Sequence, residues 1–552
     1  MRPDQLLAHY ERVADAPDAL PRLRRFVLDL AVRGKLMPQD PKDEPASELL
    51  KRIEAEKARL VKTGTARRDN AAPVAPPDQH AFPIPSSWAW VPATFPAYGV
   101  SDLGKKVQTK DVLDSGAFPV VDQGKVLVRG YCDDPEKVIT VAAPMIVFGD
   151  HTRETKLIDF DFVVGADGVK LLQPVCVDAP YYFLALQWLP LDSRGYGRHF
   201  KLLKASALPL PPLAEQPRIV AKVDELMALL DRLAAARVAR EAARDRLTKA
   251  SLARLGTPAP ATFRADARFA LETLTPLTTR PDQIKHLRQT ILNLAVRGKL
   301  VEQDPNDEPA LELLKRVAVE LAEDDKCRRG SRSKPLPDVD FTEAPYELPD
   351  GWTWARFPEL GKFGRGKSKH RPRNDPVLYT DGTYLMIQTG DVARSEGRVT
   401  TYTNKYNEVG LAQSMLWPKG TLCITIAANI ADSGILDFDA CFPDSVVGFI
   451  PAPIFDSARY FEYFVRTEKA NLLEFAPATA QKNINLEILT SVLIPLPPLA
   501  EQHRIVAEVD ALMALLDRLE ASLATATTTR HRLLEALLHE ALVPADAALA
   551  AA

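Results

Sequence analysis

"LPLPPLAEQPRIVAKVDELMALLDRL", residues 208–233, returns as "IPLPPLAEQHRIVAEVDALMALLDRL" at residues 494–519, with 22 of 26 positions identical at an offset of 286. A second block precedes each copy. "RLRRFVLDLAVRGKLMPQDPKDEPASELLKRI" (22–53) matches "HLRQTILNLAVRGKLVEQDPNDEPALELLKRV" (286–317) at 22 of 32 positions, at an offset of 264. The same offset carries "IPSSWAWVP" from Ile84 onto "LPDGWTWAR" from Leu348, aligning Trp88 with Trp352 and Trp90 with Trp354. The growth of the offset from 264 to 286 makes the intervening segment 22 residues longer in the second copy, and in that segment the halves hardly align. Solenoid repeats recur every 20–50 residues or so, which excludes them here. The chain is one unit written twice: a constant frame around a divergent insert.

The frame reads as helix. "RRFVLDLAVR" is amphipathic and can end in a left-handed cap at Gly34, as its counterpart can at Gly298. A second helix starts near "DEPASELLKRI", with Pro45 where a missing N–H costs nothing. After the PPL a longer helix opens. Its apolar residues Ile219, Val223, Leu226, Leu230 and Leu233 form a heptad seam, repeated by Ile505, Val509, Leu512, Leu516 and Leu519. A helix from about 216 to 255 is roughly 60 Å long at 1.5 Å per residue, beyond what one insert domain needs. The two stripes are therefore expected to pack on each other, the alternative being that each covers its own domain. Linkers rich in Pro and Ala or in charge punctuate the chain, from Thr63, Gly256 and Cys327.

Composition excludes several classes. With 552 residues the chain is too long for one core. A net charge of −3 does not advertise a nucleic-acid binder in bulk. Five scattered cysteines without a C-x-x-C pair argue against a disulfide framework and a zinc site, and fit a reducing, cytoplasmic setting. The charged start shows no signal peptide, and no apolar run is long enough to cross a membrane.

"GKFGRGKS", residues 361–368, satisfies the G-x-x-x-x-G-K-[ST] phosphate-loop pattern. That chemistry needs a strand before the loop and a helix after it. Pro358 upstream, and Pro372 and Pro376 downstream, deny both, so a nucleotide-binding loop is rejected.

These repeats resemble the specificity subunit (HsdS) of type I DNA restriction-modification systems. The resemblance rests on the duplicated "PLPPLAEQ-x-RIV" before a heptad helix, on the repeated "LAVRGKL-x-x-QDP-x-DEPA-x-ELLKR", and on two divergent inserts, and it covers nearly the whole chain. It implies an α+β fold with two target-recognition domains containing mixed β-sheets. These are pseudo-twofold related and joined by long helices in an antiparallel coiled coil. The expected divisions are an N-terminal helical region and linker (1–83), recognition domain 1 (84–208), a central region (209–347), recognition domain 2 (348–494) and a C-terminal helical region (495–552).

The resemblance further implies a non-catalytic reader of double-stranded DNA. Each insert would grip one half of an asymmetric, two-part target. The frame would dock two modification subunits, which carry S-adenosylmethionine and methylate adenine, together with restriction subunits that use ATP and Mg²⁺. No cofactor is expected in this chain, which also lacks a D/N-P-P-Y/F block. Two alternatives stay open: a reader for a methylation-only or other phage-defence complex, and a coiled-coil scaffold that reads no bases.

Candidate contacts fall in the inserts, where overall charge is balanced: 13 Lys/Arg against 14 Asp/Glu in residues 88–208, and 15 against 15 in residues 352–494. Only clustering can make a basic patch. In the first insert "GDHTRETK" offers His151, Thr152, Arg153 and Lys156, and "SRGYGRHFKLLK" offers Arg194, Tyr196, Arg198, His199 and Lys201. A nuclease made of Asp150, Glu154 and Lys156 fails because metal-binding carboxylates come from separate elements.

In the second insert the basic stretch 361–373 is expected to be a mobile, glycine-hinged loop presenting Arg365, Lys367, Lys369, Arg371 and Arg373 to phosphates or a groove. Gln388 and Thr389 follow. In "QKNIN", Gln481, Asn483 and Asn485 carry amides that can pair with adenine, and Lys482 suits a phosphate. Asn485 is equally a natural helix N-cap. Trp88, Trp90, Trp352 and Trp354 sit at the constant border, so domain-core packing is their expected role.

Overall fold

The computed structural model describes residues 15–542 except 68–73, 78–79, 166–167, 193–196, 257–264, 266–267, 271, 274–277, 328–343 and 475–483. It divides into two units, Met1–Glu241 with Ala526–Ala552, and Ala242–Thr525. The first copy of the frame supplies α1 (Ala19–Val32) and α2 (Ala46–Lys62), its insert supplies α3 (Ala179–Trp188), and α4 (Gln216–Gly256) follows. The second copy supplies α5 (Pro281–Val296), α6 (Ala310–Cys327), α7 (Arg459–Glu474) and α8 (Leu499–Leu542). The long helices thus reach 41 and 44 residues, as the heptad spacing predicts.

The frame is built the same way in both units because the same side chains lock it. Gly34 and Gly298 sit at φ 65° and 64° and end α1 and α5. The next residue's N–H closes a 6→1 bond in each: Lys35 to the Leu30 carbonyl at 3.0 Å and Lys299 to that of Leu294 at 2.9 Å. Trp88 donates its indole N–H to Glu215 at 2.9 Å, and Trp352 donates to Glu501 at 3.0 Å. Arg218 pairs with Asp43, and Arg504 with Asp307. The repeated acids and the repeated tryptophans therefore explain one another. Burial raises the pKa of both Glu215 and Glu501, opposed by the hydrogen bonds each carboxylate accepts.

The first insert runs β1 (Ala89–Pro92), β2 (Ala97–Val100), β3 (Met145–Gly149), β4 (Thr155–Ile158), β5 (Val169–Pro174) and β6 (Ala207–Leu210). β1 and β6 pair antiparallel, with Trp90 opposite Pro209, and so clamp the two ends of the insert. The strand order β2-β5-β3-β4 makes an antiparallel sheet. A second sheet is mixed: its strand Phe162–Gly165 runs parallel to Lys106–Val107 and Phe118–Val121 and antiparallel to Val138–Ile139.

In the second insert β7 (Thr353–Ala355), β8 (Gly361–Arg365), β9 (Gly397–Val399), β10 (Leu422–Thr425), β11 (Ser433–Leu436), β12 (Val446–Pro451) and β13 (Ile494–Leu496) repeat the plan. β7 and β13 form the clamp, with Trp354 opposite Pro495. The main sheet has the order β8-β12-β10-β11-β9, and its β9–β11 pair is parallel. α3 and α7 each send a buried tyrosine to the clamp: Tyr181 to the Pro209 carbonyl and Tyr460 to that of Pro495. The fold is thus mixed α and β, with two like domains on helical connections.

The heptad stripes begin by covering their own domains. Ile219, Val223 and Leu230 lie in the core with α1, α2, Trp88 and α3, with Leu226 and Leu233 packed against it. Ile505 and Val509 lie in the corresponding core of the second unit, Leu516 is buried, and Leu512 and Leu519 are half-buried. The sequence expectation of a helix-on-helix seam is therefore corrected for the first turns, because the adjoining sheet domain supplies the nearer apolar surface. Within the first unit, Leu534 and Leu537 of α8 pack on Ala16 and Ala19, and Lys35 donates to the Leu542 carbonyl at 2.9 Å. Within the second unit, Asp245 of α4 takes Arg280 at 2.6 Å and Gln283 at 3.0 Å.

Candidate nucleic-acid interface

In the first insert the stretches around Asp150 and around His199 meet. β3 and β4 form a hairpin whose turn is Asp150–Glu154. The buried Asp150 accepts from the His199 N–H through its carbonyl at 2.7 Å, and from the Phe200 N–H through Oδ1 at 2.7 Å. The helix Phe200–Ala205 is thereby started against the hairpin turn. Thr152, Arg153, Arg198 and Lys201 are exposed and His151 is half-buried. Arg153 holds φ 66° and donates to the Leu191 carbonyl at 2.7 Å. Arg194 and Tyr196 lie outside the described residues.

Two candidates are corrected. His199 is buried, with Nδ1 at 2.9 Å from the Asp150 carbonyl, so it holds the turn rather than facing outward. Lys156 is also buried, because its ammonium donates to the carbonyls of Asp122 at 2.8 Å and Val126 at 2.5 Å. Burial lowers its pKa, opposed by the nearby Asp122 carboxylate.

What Lys156 holds is a loop that the sequence reading missed. In residues 122–129, Gln123 accepts from the His151 N–H at 3.2 Å and, through its carbonyl, from the Thr152 hydroxyl. Lys125 and Arg129 are exposed beside it. A polar, glycine-containing "DQGK" before "VLVR" inside a divergent insert is the signal that could have found it. Lys156→Met is expected to strand two carbonyls, at about 1–3 kcal/mol each before relaxation. It should also weaken DNA binding without removing a contact. Thermal unfolding together with a DNA titration checks this: unchanged affinity would place loop 122–129 outside the interface.

In the second insert the phosphate-loop pattern is a strand. Gly361–Arg365 is β8, hydrogen-bonded along β12. The N–H groups of Gly366 and Lys367 are taken by the carbonyls of Val446 at 2.9 Å and Phe442 at 3.1 Å. The glycines answer to the sheet, not to phosphate: a Cβ on Gly361 would lie 2.2 Å from the Ile450 carbonyl, and one on Gly366 would lie 2.3 Å from that of Phe442. The expected mobile hinge is corrected as well, because the loop after β8 is pinned. The Gln413 side-chain oxygen accepts from the N–H groups of Lys369 and His370 at 2.7 and 3.1 Å, and Ser414 donates to the Lys367 carbonyl at 2.8 Å. Arg365, Lys367, Lys369, Arg371 and Arg373 all remain exposed on this fixed backbone. Of these, Arg373 pairs with Asp444 at 2.6 Å and Arg371 donates to the Ser368 carbonyl at 2.6 Å.

This loop borders a cleft of about 440 Å³ that brings Arg373 together with Gln388 and Thr389, and adds Asn374, Asn404 and Ser445. Behind Gln388 and Thr389, Asp391 is buried at the start of the short helix Thr389–Ala393. It accepts from the Gln388 N–H at 2.9 Å and from the Thr403 hydroxyl. The arrangement sets amide and hydroxyl groups beside one arginine, donors and acceptors of the kind that can read base edges. Asn485 caps the helix Leu486–Ser491, its Oδ1 accepting from the Ile488 N–H at 2.9 Å, so that oxygen is committed to the fold. Gln481, Lys482 and Asn483 lie outside the described residues. Trp88, Trp90, Trp352 and Trp354 are each at most 8% exposed and are core.

Among the described residues no group of three His, Cys, Asp or Glu side chains is placed to hold a metal, and no helix is long and apolar enough to cross a membrane.

A family model described as the type I restriction modification DNA specificity domain matches residues 349–525. The chain is 28% identical over 569 residues to the type I restriction enzyme EcoAI specificity subunit of Escherichia coli, covering 94% of this chain and 93% of that one. The crystal structure of the HsdS subunit from Thermoanaerobacter tengcongensis aligns with 84% of this chain and 98% of its own, at 19% identity and a TM-score of 0.43. Against the EcoEI specificity subunit of Escherichia coli the identity is 30% over 570 residues, 94% of this chain and 93% of that one. Aligned at that level over almost its full length, the chain belongs to the specificity subunits of type I restriction enzymes.

Proposed function

We propose that the two inserts each read one half of an asymmetric, two-part DNA target, while the frame helices set the separation and dock two modification subunits and the restriction subunits. The observation that carries this is the pairing of an almost identical frame with unlike inserts, each presenting its own set of basic and polar groups. A pseudo-twofold chain meets a duplex at half-sites roughly 10 bp apart on one face. Helices of 41 and 44 residues, paired antiparallel as a coiled coil, are long enough to rule such a spacing. As a specificity subunit the chain is non-catalytic and uses no cofactor: S-adenosylmethionine, ATP and Mg²⁺ serve the partner subunits.

Mapping methyladenine in DNA from cells that co-express the chain with its modification subunit tests the reading, beside a variant whose residues 88–207 are replaced by another insert. The expected result is a two-part motif in which the exchange rewrites one half and leaves the other. A chain on which no two-part motif depends would overturn base reading and leave a scaffold.

A further inference from the structure

One exposed aliphatic side chain is ordinary on a protein surface. Loop 122–129 of the first insert presents two in succession, Val126 at 67% exposure and Leu127 at 47%. The loop is held firmly. Its Asp122 and Val126 carbonyls both turn inward onto the buried Lys156 ammonium. The Asp122 carboxylate accepts from the Gly124 N–H at 2.8 Å, and the Arg129 N–H reaches back to the Val120 carbonyl at 2.8 Å. The usual order puts aliphatic residues inside and a lysine outside. Here the lysine is inside and the aliphatic pair is held in water.

The second insert shows that the fold does not demand this. Strand Phe118–Val121, which leads into the loop, pairs antiparallel with Gly130–Cys132 and parallel with Phe162–Gly165. Tyr384–Met386 holds the same place, antiparallel to Asn404–Tyr406 and parallel to Ala440–Cys441. The segment after it winds into the helix Thr389–Ala393, and its Val392 is buried at 1% exposure.

The surroundings of the aliphatic pair indicate what it meets. Lys125 and Arg129 flank it in sequence and are exposed. Gln123 ties the loop to the turn 150–154, where Thr152 and Arg153 are exposed. That turn in turn holds the segment exposing Arg198 and Lys201. Asp122, the acid of the loop itself, lies 3.5 Å from Lys156 and 3.9 Å from Arg129. An aliphatic tip among cations fits a polyanion with an apolar interior, and duplex DNA is that: phosphates outside, stacked bases within. Aliphatic side chains that enter between base pairs unstack them and kink the duplex.

We infer that Val126 and Leu127 form a wedge that enters the duplex between two neighbouring base pairs of the half-site met by the first insert, with Lys125 and Arg129 on the flanking phosphates. The inference rests on the reading of that insert as a DNA reader and adds a distortion to it. One half of the target is kinked and the other is not, and a pyrimidine–purine step, which unstacks most easily, is the favoured point of entry.

The test uses the full chain with its modification subunit, bound to duplexes carrying the two-part motif that methylation mapping returns. Aminopurine, whose fluorescence rises on unstacking, replaces purines one at a time, away from the methylated adenine and its neighbours. A rise is expected at one step of the half-site that exchange of the first insert rewrites, and at no step of the other. Val126→Ser/Leu127→Ser should abolish the rise and lower affinity about 100-fold, with thermal unfolding unchanged because both side chains are exposed. Leu103→Ser, at a leucine 88% exposed elsewhere in the insert, should alter neither. A wild-type complex without any rise, or a rise that survives the double substitution, overturns the wedge. So does a double variant that loses the modification subunit and still unstacks the DNA, which would give the aliphatic pair to a protein partner. A wild-type complex whose affinity ignores the motif would instead overturn the DNA-reading role beneath the inference.

Discussion

Trp352→Ala is expected to cost the second unit about 4 kcal/mol, as large aromatic deletions in a core do. The indole fills the space between α5, α6 and the clamp strands, in the same core as Leu292, Leu313 and Ile505. Its N–H also satisfies Glu501, which burial already holds above the usual carboxylate range. Trp352→Phe, which keeps much of the volume and loses only the donor, should cost about 1–2 kcal/mol. Denaturant unfolding with the m-value held in view checks both. Trp88 makes the same bond to Glu215 in the first unit, so Trp88→Ala should behave alike there. A tryptophan that stacked on bases would give the opposite pattern: weakened DNA binding with stability intact.

The second large effect is a pH dependence confined to one unit. Glu462 on α7 is fully buried. It lies 2.7 Å from the Arg466 guanidinium and 3.3 Å from the Ser433 hydroxyl, and its Oε2 has no hydrogen-bond partner. Burial outweighs the two arginines nearby and pushes its pKa up to about 7. A carboxyl whose native value is raised holds its proton more tightly when folded. Its contribution is therefore greatest below the unfolded value of 4.5 and is lost as pH climbs to about 7. On the order of 3 kcal/mol of native stability should disappear across that window. Glu462→Gln should flatten the profile and leave the variant the more stable of the two at pH 8. A wild-type stability that does not fall between pH 5 and 8 would show that Arg466 keeps the carboxylate charged. Counting from Tyr460 and Tyr181, which make the same bond to the clamp, the first unit has Phe183 at this place, so its stability should lack this component.

The frame was legible because repetition and heptad spacing are local properties of the chain. Gly34, Trp88 and the long helices could be placed from pattern alone. The inserts were not, because their decisive contacts join distant residues. Nothing in "RETK" tells that Lys156 turns inward, since its partners lie 30 and 34 residues away. His199 is buried by a turn 49 residues earlier. The phosphate-loop pattern misleads for a steric reason: β8 runs so close to β12 and the Phe442 carbonyl that Gly361 and Gly366 are needed there, and glycine spacing alone cannot distinguish that from a cradle for an anion. The basic loop is exposed but is not a hinge, because Gln413 and Ser414, between 43 and 47 residues further along the chain, hold it.

The closing of α8 onto α1 bears on the order in which the protein comes into being. Residues 242–525 form one unbroken stretch, so the second unit has all of its parts as soon as that stretch has left the ribosome. The first unit includes residues from 526 onward, among them Leu534 and Leu537, which pack on Ala16 and Ala19, and Leu542, whose carbonyl accepts from Lys35 just after α1. The half of the protein that is translated first is therefore completed last, and its opening helix must wait through synthesis of the whole second recognition domain for its final neighbours.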